Sequence, residues 1–222
     1  MSTPNGPEML EWLETRRSRR VFEEKPIPKE ILSRLLHAAV TAPSNTNRQP
    51  WRFAVVTKKD VRKQIASAVR TRAAEIKAII ERGHHADDFA NYGDFFHEPL
   101  DNAAAIVIPQ WRDYPDLIAE FIASGGGDPA AWHTARSMQA ELCSTCAAVM
   151  ALLLQAHAEG LGACWMAGPM IAKPDIEGLL GIREPFRMVG AIALGWPAGQ
   201  TPVSPGRKPL ERVVQWFEDD EP

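Results

Sequence analysis

Residues 16–57 read RRSRRVFEEKPIPKEILSRLLHAAVTAPSNTNRQPWRFAVVT, and this stretch decides the fold. Its first five residues crowd four arginines around Ser18. A guanidinium is a rigid fork of donors that suits phosphate, and a hydroxyl adds another donor. By itself such a run reads as a solvated basic patch at a helix end, where cations also suit the dipole. Residues 29–40 follow as a helix, because Ile31, Leu32, Leu35, Leu36 and Ala39 fall on one stripe. Pro43 stops it. Residues 43–50 place Ser44, Asn45, Thr46, Asn47 and Gln49 between prolines. Amides and hydroxyls there match a heteroaromatic edge of alternating donors and acceptors, although an ordinary polar turn has the same composition. WRFAVVT then reads as a strand, with aromatic and β-branched residues alternating with others.

Working outward, residues 7–16 read as a short helix with Pro7 in its first turn and Met9, Leu10 and Leu13 on one side. Asp60 is the expected N-cap of a third helix carrying Val61, Ile65, Val69, Ile76 and Ile80. Residues 83–99 show no clean period and are expected to form loop. AAAIVI, residues 103–108, is suited to a buried strand ending before Pro109. A small helix is expected over 113–123, closed by Gly125, Gly126 and Gly127. A long helix is expected from about Ala135 to Glu159, stopped by Gly160. It is small or apolar on every side from Leu142 to Leu154, so it belongs in a core or a subunit interface. ACWMAG is a short extended piece, Pro174 opens another helix, and MVGAIAL is the last core strand. The terminal LERVVQWF is apolar without an obvious place in a compact monomer, as an arm around a partner would be. Helices and strands mix without strict βαβ alternation, which indicates α+β architecture.

The chain has 222 residues, 45% of them hydrophobic, enough for a single domain over 1–222 with its core at about 10–214. A net charge of -3 gives no basic field for nucleic acid, and no membrane partner is expected. The opening MSTPNGPEML has no charged start followed by an apolar run, and three cysteines make no disulfide framework. A cytoplasmic setting is expected.

Other motifs are weaker. Cys143 and Cys146 form a CxxC inside a helix, where packing outweighs redox chemistry. His84, His85, Asp87 and Asp88 read as solvated loop rather than metal ligands. Gly125–Gly127 lacks the Lys-Ser/Thr of a P-loop, and GLGACWMAG is not GxGxxG. Trp111, Tyr114, Phe121 and Trp132 flank a polar, Gly-rich segment, and one or two of them could line a substrate pocket or lid.

RRSRR, a helix, APSNTNRQPW and a strand, in that order, resemble the start of the FMN-dependent nitroreductase family. GLGACWMAG after a small-residue helix, GWP after the last strand and GRKPLERVV at the end are similar to its later motifs. The resemblance implies a nitroreductase-like α+β sandwich: a central antiparallel-type mixed sheet flanked by helices, with a C-terminal arm exchanged in a homodimer. It implies two FMN sites at the interface and NADH or NADPH as transient donor. Arg16 and Ser18 would meet the ribityl phosphate, with Arg17 beside them and Arg207 joining. Arg20 would lie near N1 and O2 of the isoalloxazine, where a fixed cation stabilises reduced flavin. Pro43, Ser44, Asn45 and Asn47 would come from the other subunit, and Ser144 would make a polar interface contact. Trp165, Met166, Ala167 and Gly168 would run along the flavin to N5, with the backbone near Ala167 facing that atom. Two positions depart from the pattern. Pro205 stands where some members carry Lys, so that one phosphate ligand is either missing or supplied by Lys208. Ala167 stands where some carry an acid, which alters the field near N5. The implied reaction is ping-pong hydride transfer to a small-molecule substrate: a nitroaromatic, a quinone or an activated alkene. Dehalogenation, dehydrogenation, flavin breakdown and flavin binding without turnover are the alternatives.

Overall fold

The computed structural model describes residues 5–84, 93–203 and 205–217. The central sheet is built of β1 (Trp51–Val56), β2 (Ala105–Arg112), β3 (Gly162–Met166), β4 (Phe186–Met188) and β5 (Ala191–Gly195). The order is β1-β2-β5-β3, with β4 also pairing β2. Every pairing between these strands is antiparallel. A parallel bridge joins Ser18 to Ala163 and carries the arginine-rich segment onto the free edge of β3.

β2 explains the layering. Val107 sits between Val55 and Ile192, so β2 has partners on both sides. Ala105 and Val107 point into one core, with Leu35, Leu152 and Ile192. Ile106 and Ile108 point into the other, with Ile65, Val69, Leu100 and Ile176. A strand covered on both faces must be apolar at consecutive positions, which is why AAAIVI shows no alternation. The first core is roofed by α2 (Lys29–Val40) and α6 (Ala140–Ala158), the second by α3 (Lys59–Ile80), α4 (Asp94–Asp101) and α7 (Lys173–Leu180). This is the expected α+β sandwich.

Several expectations need correction. Asp60 is not the N-cap of α3. Lys58 takes that place without a side-chain bond, and Asp60 lies in the first turn, where a carboxylate still suits the dipole. The stretch expected as loop contains α4, with Pro99 inside it. So short a segment shows too little apolar spacing to signal a helix, and burial of Leu100 supplies what propensity does not. β2 runs on through Pro109. The proline falls between the residues paired with β5, 105–107, and those paired with β4, 110–112. Val189 N–H donates to its carbonyl across that gap at 2.9 Å, so the missing proline N–H breaks no ladder bond there. The last strand is split into β4 and β5 around Gly190, which has φ +97. A Cβ on Gly190 would lie 2.6 Å from the Met166 carbonyl oxygen, so only glycine lets β3 pass this close. α6 begins at Ala140, five residues later than expected, after a left-handed Gln139. Two shorter helices, α1 (Gly6–Thr15) and α5 (Leu117–Ser124), have no buried residue. Residues 85, 87 and 88 of the His/Asp cluster lie outside the described residues.

Among the described residues α6 is the one helix long and apolar enough to cross a membrane, and half of its apolar window is buried within the fold. The terminal residues Leu210, Val213, Trp216 and Phe217 lie exposed on the surface.

Candidate functional site

The sequence-predicted residues gather into two groups at opposite ends of α6. The first forms around the edge of β3. Arg19 N–H donates to the Ala163 carbonyl at 3.0 Å, which extends the sheet by the segment 16–20. Side chains alternate along an extended segment, so Arg16, Ser18 and Arg20 share one face. Arg16 and Arg20 both act electrostatically on Cys164 of β3: burial pushes that thiol up, and the two guanidinium groups pull it back. Arg17 folds onto the carbonyls of Glu14 and Arg16, and Arg19 reaches the Gln200 carbonyl at 3.0 Å.

Arg16 and Arg17 meet Arg207 in a cleft of about 370 Å³, completed by Leu13 and Glu14. Residues almost two hundred positions apart thus place three cations and one carboxylate around one opening. Lys208 is not among its lining residues. On the other side of Arg16 and Arg17 a smaller cavity of about 220 Å³ contains His157. This histidine was not singled out from the sequence. It shares a 2.7 Å hydrogen bond with the Thr15 hydroxyl and stacks obliquely on Trp12 at 5.1 Å. Burial first, and then the charge of Arg16, hold its imidazole below the ordinary value.

At the far end of β3, Trp165 is partly exposed and donates its indole N–H to the Val189 carbonyl at 3.1 Å. Met166 ends the strand. Ala167 is exposed, and its N–H has no hydrogen-bond partner among the described residues. Gly168 opens the 3-10 turn Gly168–Ala172. The ring of Phe96 from α4 lies against Gly168, where a Cβ would stand 2.4 Å from the ring. Phe96 was missed because nothing in the aperiodic stretch 83–99 points to it.

The second group is the loop 43–49, held on the first turns of α6. Thr46, Asn47 and Gln49 adopt left-handed conformations, the strained backbone of a tight polar turn. Ser144 is buried. It donates to the Ala140 carbonyl at 2.6 Å and accepts the Asn45 N–H at 3.1 Å. Within the chain it therefore anchors the loop, and only acceptor capacity remains for an outside contact. The Ser44 hydroxyl accepts Gln49 N–H at 3.1 Å, and Gln49 donates to Asn47 at 3.2 Å. Arg48 pairs at 2.7 Å with Glu141, a buried carboxylate. Pro43 and Asn47 are exposed. Cys143, expected to pack, is exposed instead, and burial raises the thiol of half-buried Cys146. No cluster of metal-ligating side chains occurs among the described residues.

This geometry has known counterparts. The chain is 29% identical over 205 residues to an NADH dehydrogenase of Thermus thermophilus, covering 90% of this chain and 92% of that one. Its fold superposes on a BluB-like flavoprotein from Clostridium difficile 630 with a TM-score of 0.83 at 23% identity, over 95% of this chain and 99% of the other. An iodotyrosine deiodinase bound to FMN and 3-iodo-L-tyrosine gives a TM-score of 0.68 at 20% identity, over 94% of this chain and all of that one. Residues 13–196 match the model of the Nitroreductase family, and the chain belongs to that family.

Proposed function

We propose that the protein is an FMN-dependent oxidoreductase that works as a homodimer in the cytoplasm. When bound, FMN supplies the redox chemistry, accepting hydride from NADH or NADPH and giving it to a small electrophile such as a nitroaromatic, a quinone or an activated alkene. The observation that carries this reading is the convergence of Arg16, Arg17 and Arg207 on one cleft. Three guanidinium groups against a single carboxylate fit a phosphate monoester dianion. Ser18 adds a hydroxyl on the same face as Arg16. Arg20, four residues along that face, would put a fixed positive charge toward the flavin's N1 and O2 edge. The unpartnered Ala167 N–H offers a donor to N5, beside Trp165, Met166 and Gly168. The FMN held by the deiodinase of the same fold supports this assignment.

The separation of the two groups supports the homodimer reading. Ser144 and His157 are thirteen residues apart on α6, roughly 20 Å along its axis. A two-fold axis that paired α6 with its copy would bring the 43–47 loop of one subunit toward the arginine cleft of the other. Pro43, Ser44, Asn45 and Asn47 would then approach the flavin from the partner. No side-chain acid or base is assigned, and solvent supplies the protons.

Protein saturated with FMN and made anaerobic is expected to lose its visible flavin absorption on adding NADH or NADPH and to regain it with a quinone. Failure to take up FMN, or a bound flavin that neither nucleotide bleaches, would sink this reading.

A further inference from the structure

A pocket of about 760 Å³ opens beside the loop 43–49, and Asn45 and Thr46 form part of its wall. Its apolar side consists of Trp111, Tyr114 and three residues of α5: Leu117, Ile118 and Phe121. Ile118 and Phe121 are 58% and 64% exposed in the single chain. The polar side has Arg48, Arg136 and Arg187 against Asp113, Asp116 and Glu141. Formal charge therefore cancels, and the preference of the pocket rests on which groups are already engaged.

Each carboxylate is engaged. Glu141 takes Arg48 at 2.7 Å, and Asp113 takes Arg187. Asp116 accepts the Thr134 hydroxyl and the N–H groups of Ala119 and Arg136, the Thr134 bond is the main reason its carboxyl titrates low, and the Arg136 guanidinium adds a weaker electrostatic pull from beyond ion-pair distance. The arginines are not exhausted. Each guanidinium carries five N–H donors, and Arg48 and Arg187 each give one nitrogen to a carboxylate. The side chain of Arg136 has no hydrogen bond among the described residues. Arg187 is held by stacking on Trp111, 4.4 Å from the ring centroid. The pocket thus holds guanidinium donors that no carboxylate within 4 Å takes up, those of Arg136 first, set beside aromatic faces and the neutral side chains of Asn45, Thr46 and Gln139.

We infer that this pocket binds a planar aromatic acid, its ring against Trp111 and Phe121 and its carboxylate on Arg136, with Arg187 close by. The inference rests on the oxidoreductase reading and narrows its substrate class, since Asn45 and Thr46 of the pocket belong to the loop assigned to the flavin.

The test is a calorimetric titration of FMN-saturated protein with 4-nitrobenzoate and with 4-nitrobenzamide, which share the ring and the nitro group. The acid is expected to bind about tenfold more tightly, the size of one charge-assisted hydrogen bond at a partly open site. Arg136→Gln is expected to remove that difference and Arg136→Lys to retain part of it. Equal affinities in the unaltered protein, or a difference that survives Arg136→Gln, would overturn the inference. Flavin content is read from visible absorption of the same samples. Protein without flavin that still prefers the acid would remove the redox reading and uphold the pocket. Flavin-loaded protein without the preference would remove the pocket assignment alone.

Discussion

Gly168 is a residue whose side chain is missing for a steric reason. A methyl group there would lie 2.4 Å from Cδ1 and 2.6 Å from Cγ of Phe96, so the ring would have to move. Gly168→Ala is expected to destabilise the protein by about 1–3 kcal/mol, the usual cost of overpacking, with part of the loss recovered by adding Phe96→Leu. Chemical denaturation of the two variants measures it, and a neutral Gly168→Ala would show that the ring does not constrain this turn. At this scale the sequence is only half legible. Arg16, Arg17 and Arg207 are recognisable from RRSRR and GRKP, and they do meet. Ser144 is singled out only by the family resemblance, and its hydrogen bond with the 43–49 loop depends on a turn whose left-handed residues leave no trace in composition. Phe96 and His157 carry no local signal, because their roles come from what packs on them.

Among elements, α2 and α6 are tied at their ends as well as along their core. Arg34 of α2 grips Glu159, just beyond α6, through two bonds of 2.7 and 2.8 Å, and Gln155 adds a third at 2.9 Å. Arg34 above all holds the Glu159 carboxyl down to about 2, against 4.5 in an unfolded chain. The folded state thus binds fewer protons at this site, and the stabilisation is complete above pH 4.5 and is lost as pH falls toward 2. Glu159→Gln is expected to melt below the unaltered protein at pH 6, with the gap closing as pH approaches 2. A gap independent of pH, followed by circular dichroism, would remove the role of this pair. Elements with a long stripe are legible: the bounds of α2 are those its spacing predicts. Elements set by tertiary packing are not. α4 is short and contains a proline, and β2 passes through Pro109 because the gap between two partner strands accommodates it.

For the whole molecule, several large apolar residues lie on the described surface. Met9, Leu10 and Leu13 of α1 are exposed, and so are Met150 of α6 and Val213 in the tail, where Trp216 and Phe217 are 70% and 88% exposed. The proposed homodimer would cover residues of this kind. The sequence shows a buried-looking helix and a tail without a place, and the contribution proposed for a partner subunit rests on the family resemblance and not on any local signal. The central claim is that flavin is bound between two copies. Sedimentation velocity of FMN-treated protein, followed at a protein wavelength and a flavin wavelength together, tests it most directly. The account predicts one boundary at twice the mass of a single chain, carrying both absorptions at about one flavin per chain. Flavin sedimenting with a single chain, or a dimer free of flavin, would contradict it.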